Sequence, residues 1–320
     1  MKKVGIITYP ETSGLYYLAD RISKGFLSGQ QVVFFPKIRI VRKNGVYVKD
    51  ISVKIDDDRF VKNISIENYA SDIEKYCIKE EISLIYSLES LLSKELIELA
   101  HCLDIIDIPM LEWVSKKDLK NNKYNIFKDI YCVSDICYEV FSEYYFCKRL
   151  PVKLNRGSFE TLERDRMLFY HQCSTNKNFS HKNTLETLTA FYKFSKEFPD
   201  AKFVLTGYMK KEEVALAKKI KNITFFDKIL EIEDIAEYFK VSGCFVAPSI
   251  KEGLGLGYIE AKEAGAKVIS TDYSPMNEFS DYKCKARISP DSSLQPRAYV
   301  NSNEILNKMK VYYMEHVCQK

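Results

Sequence analysis

The chain has 320 residues, 46% of them hydrophobic and 29% charged, with a formal net charge of +4. That is enough for two domains with separate cores, and the composition is that of an ordinary folded protein, not a disordered, fibrous or membrane-embedded one. So small a positive excess gives no reason to expect nucleic acid as a partner, though it allows weak peripheral contact with an anionic membrane surface.

The first run, Val4 to Thr8, is apolar and β-rich and ends in Tyr9-Pro10-Glu11-Thr12-Ser13-Gly14. Met1-Lys2-Lys3 ahead of it begins like a signal peptide, but Pro10 and Glu11 end the apolar stretch too early. Leu15, Leu18, Ala19, Ile22 and Phe26 then fall on one face of a helix, and Val32 to Phe35 reads as the next strand. Strand, loop, helix, strand is how a parallel α/β domain starts. From Ile38 to Ile55 the residues alternate around Asn44-Gly45, a hairpin signal. Lys37, Arg39, Arg42, Lys43, Lys49 and Lys54 stand there against Asp50. These cations fit an edge hairpin guarded against pairing, or a basic patch facing an acceptor or a membrane. Asp56-Asp57-Asp58 contains the Asp-x-Asp of some metal sites, but in its polar loop it reads as a solvated turn.

A strand at Ser83–Leu88 is expected between helices at 67–79 and 91–103. Pro109–Val114 and Ile130–Ser134 read as further strands, the second leading into a helix through Tyr145. Glu112-Trp113 holds the lone tryptophan, which fits stacking on a sugar or acceptor face and fits a core position equally. Pro151, Asn155 and Gly157 punctuate an irregular crossing, so a domain boundary is expected near residue 158.

Met167 to Gln172 starts a second α/β run. Asn183 and Glu186 have the spacing of a capping box for a helix ending at Phe198, before Pro199-Asp200. A strand at Lys202–Thr206, an amphipathic helix at 232–242 and a last helix at Ser302–Val317 follow. The nine cysteines are odd in number and scattered, and Cys132 and Cys137 are too far apart for a Cys-x-x-Cys pair; they read as reduced thiols of an intracellular protein. His171, Cys173 and His181 lack a fourth ligand at suitable spacing, so no metal is expected. The expected location is cytoplasmic, soluble or peripheral at the membrane.

The most informative stretch runs from Glu252 to Glu278. It reads Glu252-Gly253-Leu254-Gly255-Leu256-Gly257-Tyr258-Ile259-Glu260-Ala261, then Gly265-Ala266-Lys267-Val268-Ile269-Ser270-Thr271-Asp272, with a strand expected on each side. The glycines let the backbone approach a ligand. A helix start offers free N–H groups and a positive dipole end, which suit a phosphate. Glu252 and Glu260 bracket the turn as acceptors for hydroxyl groups. Phosphate donors between two diol acceptors fit a nucleotide sugar.

This segment resembles the Glu-x7-Glu signature of retaining GT-B glycosyltransferases, especially glycosyltransferase family 4. The match includes the Pro248-Ser249 lead-in, Glu252 to Leu256, Glu260-Ala261, Gly265, and Val268-Ile269 running into Thr271-Asp272. The resemblance implies a GT-B α/β fold of two Rossmann-like domains facing across a cleft. Residues 1–157 would form the acceptor-side domain and 158–300 the nucleotide-sugar domain, and helix 301–320 would pack back on the first. It further implies a metal-independent transferase with no cofactor, moving a hexose from a UDP- or GDP-linked donor, with retention. The acceptor would be a glycan, a lipid-linked group or a small molecule.

By the same resemblance Glu252 touches the donor sugar, so that Glu252→Ala spares affinity for the bare nucleoside diphosphate. Glu260, expected in the first turn of its helix, takes the ribose hydroxyls. Gly253, Leu254, Gly255 and Leu256 cradle the phosphates, Lys177 and Lys182 bind the diphosphate, and Gly14 lies in a loop toward the cleft. Glu252 and Lys182 are the residues placed at the reaction. Three features depart from the family pattern. Lys177 replaces an arginine and loses its bidentate fork. Ala266 replaces a proline, and Glu112-Trp113 stands where a histidine is frequent.

A dinucleotide-binding oxidoreductase is the main rival, since Gly253-x-Gly255-x-Gly257 follows a strand and Asp272 ends the next one. Tyr258 at the third glycine position of that fingerprint, and Glu252 beside a pyrophosphate, speak against it. A GT-B sugar-nucleotide epimerase or non-catalytic sugar-binding module is the other rival.

Overall fold

The computed structural model describes residues 2–10, 13–43, 46–88, 93–111, 114–150, 163–175, 181–291 and 293–318. The chain divides into two compact units, Met1–Lys153 with Ser292–Leu294, and Leu154–Asp291 with Gln295–Lys320. The boundary expected at residue 158 lies outside the described residues.

In the first unit β1 (Lys3–Thr8) is buried along nearly its whole length, as a central parallel strand must be. It is followed by α1 (Gly14–Lys24), β2 (Gln31–Pro36), β3 (Arg39–Lys43), β4 (Val46–Asp50), α2 (Tyr69–Lys79), β5 (Leu84–Leu88) and α3 (Lys94–Cys102). Then come β6 (Asp104–Ile108), α4 (Lys116–Lys120), β7 (Asp129–Cys132), α5 (Asp135–Ser142) and β8 (Lys148–Arg149). Six strands form a parallel sheet in the order β2-β1-β5-β6-β7-β8, while β3 and β4 pair separately as a hairpin. Ser13 caps α1 through a bond from the Tyr16 N–H at 3.2 Å, and Gly14 is its first helical residue.

Three expectations fail in this unit. The strand placed at Pro109–Val114 is instead β6, five residues earlier. Asp104 and Asp107 disguise it as polar, yet Asp107 is fully buried, and Pro109 has no N–H to continue the ladder. The hairpin cations are not all a surface patch. Lys37 is buried and donates to the Leu88 carbonyl at 2.6 Å, and Arg39 pairs with Asp50 at 2.7 Å with both side chains nearly sealed. Asp57 is no solvated turn residue either. It accepts from Arg59 and from the Tyr16 hydroxyl, and these bonds hold its carboxyl down at about 2. Glu112, Trp113, Asn44 and Gly45 lie outside the described residues.

The second unit runs β9 (Asp165–Gln172), α6 (Thr184–Glu197), β10 (Lys202–Thr206), α7 (Lys211–Ala217), β11 (Ile223–Phe226), α8 (Ile232–Val241) and β12 (Ser242–Ala247). It continues through α9 (Leu256–Glu263), β13 (Lys267–Thr271), β14 (Tyr282–Cys284), β15 (Arg287–Ser289), β16 (Arg297–Tyr299) and α10 (Ser302–Tyr313). Its six-stranded sheet has the order β11-β10-β9-β12-β13-β14, and every pairing in it is parallel. Counted within the unit this is 3-2-1-4-5-6, the Rossmann order, whose direction of winding reverses between β9 and β12.

Successive residues of β9 feed opposite faces of the sheet. Phe169 packs with Phe191, Phe194, Phe203 and Tyr312, while Tyr170 packs with Phe239, Phe245 and Tyr258. Helix α10, expected on the first domain, has its buried face occupied inside the second unit. Tyr312 meets Phe169 at 5.4 Å between ring centroids, and Tyr313 meets Phe194 at 5.4 Å and Phe198 at 4.7 Å. Among the described residues no helix is long and apolar enough to cross a membrane.

Candidate functional site

Because β9 and β12 are neighbours, the segments leaving their carboxyl ends meet at the reversal point, where open α/β sheets bind ligands. The Ile250 N–H donates to the His181 carbonyl at 2.7 Å and joins the two segments through their backbones. Buried His171 reinforces the join. Its Nδ1 faces the Val246 carbonyl at 2.7 Å and must donate to it, so Nε2 accepts from the Thr184 hydroxyl at 3.0 Å. Burial lowers its pKa to about 4, so the ring is neutral. The start of α6 is thereby pinned to β9 and β12.

Glu252 stands where these segments meet. Its Oε1 accepts from Lys182 Nζ at 2.5 Å and from Ser249 Oγ at 2.7 Å, and its main-chain carbonyl accepts from Gln295 Nε2 at 2.6 Å. Ser249 is itself fixed, since its carbonyl takes the Thr271 hydroxyl at 2.5 Å. Among the described residues nothing donates to Oε2, so the carboxylate is oriented through one oxygen and presents the other. The Glu252 side chain is 15% exposed and that of Lys182 is 34% exposed, so both remain reachable by a ligand. Next to this pair, Lys251 is buried against Asp291 at 2.9 Å, and Arg297 joins the same carboxylate at 3.1 Å. Half-buried His181 has its pKa lowered, by burial and by the nearby Arg297 and Lys251.

After Glu252 the chain turns into α9. Gly255 caps this helix with φ +83°, and a Cβ there would lie 2.3 Å from the Tyr258 ring. Only glycine meets both demands without strain. Tyr258 is sealed in place and donates to the Ala247 carbonyl at 3.1 Å. Leu254 is buried and anchors the turn, whereas Gly253 and Leu256 are half-buried. Glu260 is the fifth residue of α9, so it lies in the second turn and not in the first as expected. It is half-buried, and its charge reaches Tyr170.

The capping box at α6 is also absent. Asn183 has φ 57°, a left-handed conformation with no side-chain cap, and its Nδ2 donates to the Val300 carbonyl at 2.8 Å. Glu186 accepts the Ser302 N–H at 2.7 Å. Both polar groups read as local caps serve a long-range attachment.

Of the residues selected from sequence, Lys182, Glu252 and the turn from Gly253 to Leu256 assemble at one place. Glu260 follows on α9, Gly14 lies in the first unit, and Lys177 lies outside the described residues. Sequence reading named Ser249 and Thr271 only as part of the family match and missed their orienting roles, and it missed Gln295 altogether. Ser249 could have been found from its spacing of three to Glu252. Gln295, 43 residues away from Glu252, carries no local signal. A cavity of about 780 Å³ is lined by Asn183 and Ile250, with Glu186, Glu213, Arg287 and Tyr299 also in its wall. It includes neither Lys182 nor Glu252. The convergent polar groups mark the candidate site more specifically than that hollow does.

The fold is GT-B, and comparisons with known proteins agree. A glycosyltransferase from Rickettsia africae ESF-5 superposes over 98% of this chain and 89% of its own, with TM-score 0.66 and 12% identity. An α,α-trehalose-phosphate synthase (UDP-forming) from Burkholderia vietnamiensis superposes over 85% and 84%, with TM-score 0.56 and 12% identity. A Listeria monocytogenes protein described as a UDP-N-acetylglucosamine 2-epimerase superposes over 98% and 88%, with TM-score 0.57 and 11% identity. No curated protein matches the chain. Residues 162–293, which hold the site built around Lys182 and Glu252 except Gln295 and Arg297, match the profile of the family described as glycosyl transferases group 1.

Proposed function

We propose that this protein transfers a sugar from a nucleoside diphosphate sugar to a hydroxyl acceptor, with retention at the anomeric carbon and without a metal ion. The observation that carries this reading is the Glu252 carboxylate. It is held through Oε1 by Lys182 and Ser249, has no donor on Oε2 among the described residues, and stands beside a glycine turn that starts a helix. An oriented carboxylate oxygen is an acceptor for sugar hydroxyls. Lys182 and the N–H groups at the start of α9 are donors for a diphosphate. The family match over the same residues supports the assignment.

In the proposed reaction the bond from the anomeric carbon to the phosphate oxygen breaks as the acceptor oxygen bonds to that carbon on the same face. The acceptor proton passes to the departing phosphate oxygen, leaving a glycoside and a nucleoside diphosphate. Lys182 offsets the charge that grows on the phosphate. Glu252 holds the sugar in register, and Glu260 binds the ribose. The expected donor is UDP- or GDP-linked, and the acceptor a glycan, a lipid-linked group or a small molecule.

A panel of nucleotide sugars, read first by thermal stabilisation and then by turnover, identifies the donor. Product anomers read by NMR test retention, and an inverted product would refute it. Turnover is expected to survive EDTA. The epimerase reading has one observation in its favour, the Listeria neighbour. Conversion of the donor into its epimer with no acceptor present would replace transfer by that reading.

A further inference from the structure

Lys182 and Glu252 are assigned to different parts of the same ligand, yet in the structure they bind each other at 2.5 Å. Lys182 would face the diphosphate and Glu252 the sugar. A bare nucleoside diphosphate therefore enters a site whose cation already has a carboxylate partner. It also brings negative charge close to Glu252, and charges in a partly desolvated site repel more strongly than in water. A nucleotide sugar meets a different situation. Its hydroxyls donate to the carboxylate, which keeps the Glu252 charge satisfied while Lys182 turns to the phosphates.

We infer that Glu252 discriminates against the product: its pair with Lys182 weakens the hold on a bare nucleoside diphosphate relative to a nucleotide sugar. This rests on the nucleotide-sugar reading above, and it reverses one consequence of the family resemblance. Removing the Glu252 carboxylate would not spare diphosphate affinity but raise it. Ser249 gives the device its balance. It supplies the second hydrogen bond to Oε1 at 2.7 Å, so the carboxylate does not depend on Lys182 alone. When the spent diphosphate is left without its sugar, the carboxylate reclaims Lys182 and release is favoured.

The experiment is calorimetric titration of the full chain with uridine, guanosine and adenosine diphosphates, using whichever binds the wild type. Glu252→Gln keeps the shape of the side chain and removes its charge. It is expected to tighten diphosphate binding about two- to fivefold, the range for a partly exposed ion pair. In a Lys182→Ala background the same substitution should tighten binding clearly less, because only the repulsion between the diphosphate and the Glu252 charge is left to remove. Ser249→Ala, which leaves Lys182 as the only donor to Oε1, should shift affinity the opposite way and weaken it. A general loosening of the site would move both single variants in one direction. Equal or weaker diphosphate binding by Glu252→Gln, with measurable wild-type binding, overturns the inference and leaves the proposed function standing. If the wild type binds none of the three diphosphates, the proposed function falls, and this inference with it.

Discussion

The Glu186 carboxylate accepts the backbone N–H of Ser302 at 2.7 Å and so ties the first turn of α6 to the first turn of α10. With Asn183 holding the Val300 carbonyl, the segment entering α10 is attached next to Lys182. A charged acceptor bonding a backbone donor contributes about 1.5–3 kcal/mol, reduced here because Glu186 is only half-buried. Glu186→Ala is expected to lower stability by about 1–2 kcal/mol. The readout is the urea midpoint of the transition that reports the second unit, and a wild-type midpoint would remove this tie from the list of stabilising contacts.

His171 makes stability depend on pH in a definite window. Its folded pKa is lowered from 6.5 to about 4, so between those values the unfolded chain binds a proton that the folded chain does not. Stability is therefore fully present above about pH 6.5, falls as the pH drops toward 4, and has no further loss from this group below that. The contribution is about 3 kcal/mol at 1.36 kcal/mol per pKa unit. Urea unfolding of the wild type and of His171→Asn at pH 7, 6, 5 and 4.5 is the check. The wild type should lose the larger amount across this range, and parallel profiles would count against a neutral, sealed ring.

Two glycines three and five residues beyond Glu252 should respond differently to alanine. At Gly255 alanine inherits φ +83° and a Cβ 2.3 Å from the Tyr258 ring. The backbone strain alone costs about 1–3 kcal/mol. At Gly257 the added Cβ meets the flexible end of Gln172 at 3.0 Å and the Phe245 ring at 3.4 Å. That crowding is offset by the better helix propensity of alanine, up to about 1 kcal/mol. Gly255→Ala should show the clearly lower melting temperature, and Gly257→Ala a value near wild type. The reverse order would mean that the turn is not shaped by the left-handed residue.

Glu260 and Glu252 should have opposite effects on product affinity. If Glu260 takes the ribose hydroxyls from the second turn of α9, Glu260→Ala should weaken nucleoside diphosphate binding about ten- to a hundredfold. Glu252→Gln is expected to tighten it. Titration of both with the same diphosphate compares them directly, and losses of equal size would show that the two glutamates had been assigned to the wrong parts of the ligand.

Much of the architecture could be read locally. Apolar runs such as Val4 to Thr8 and Val268 to Ser270 mark strands buried on both faces, and Gly255 and Gly265 mark backbone with positive φ. These are short-range properties, fixed by steric limits and by burial along a few residues. Where a chain section carried polar residues inside a buried element, as Asp107 does in β6, that reading went wrong, because only the finished sheet shows that the position is sealed.

By itself the sequence determined that there are two α/β runs and that one holds a glycine turn bracketed by Glu252 and Glu260. It marked Lys182 as a cation near a helix start. Tertiary structure alone decided what those groups do to one another. Lys182 and Glu252 are 70 residues apart and meet because β9 and β12 are adjacent at the point where the sheet reverses. Glu186 looks like a cap, but it serves α10, because Asn183 adopts a left-handed conformation. Caps and turns depend on torsions a few residues long. An ion pair across 70 residues depends on strand order, which follows from the burial of the whole sheet and not from any local pattern.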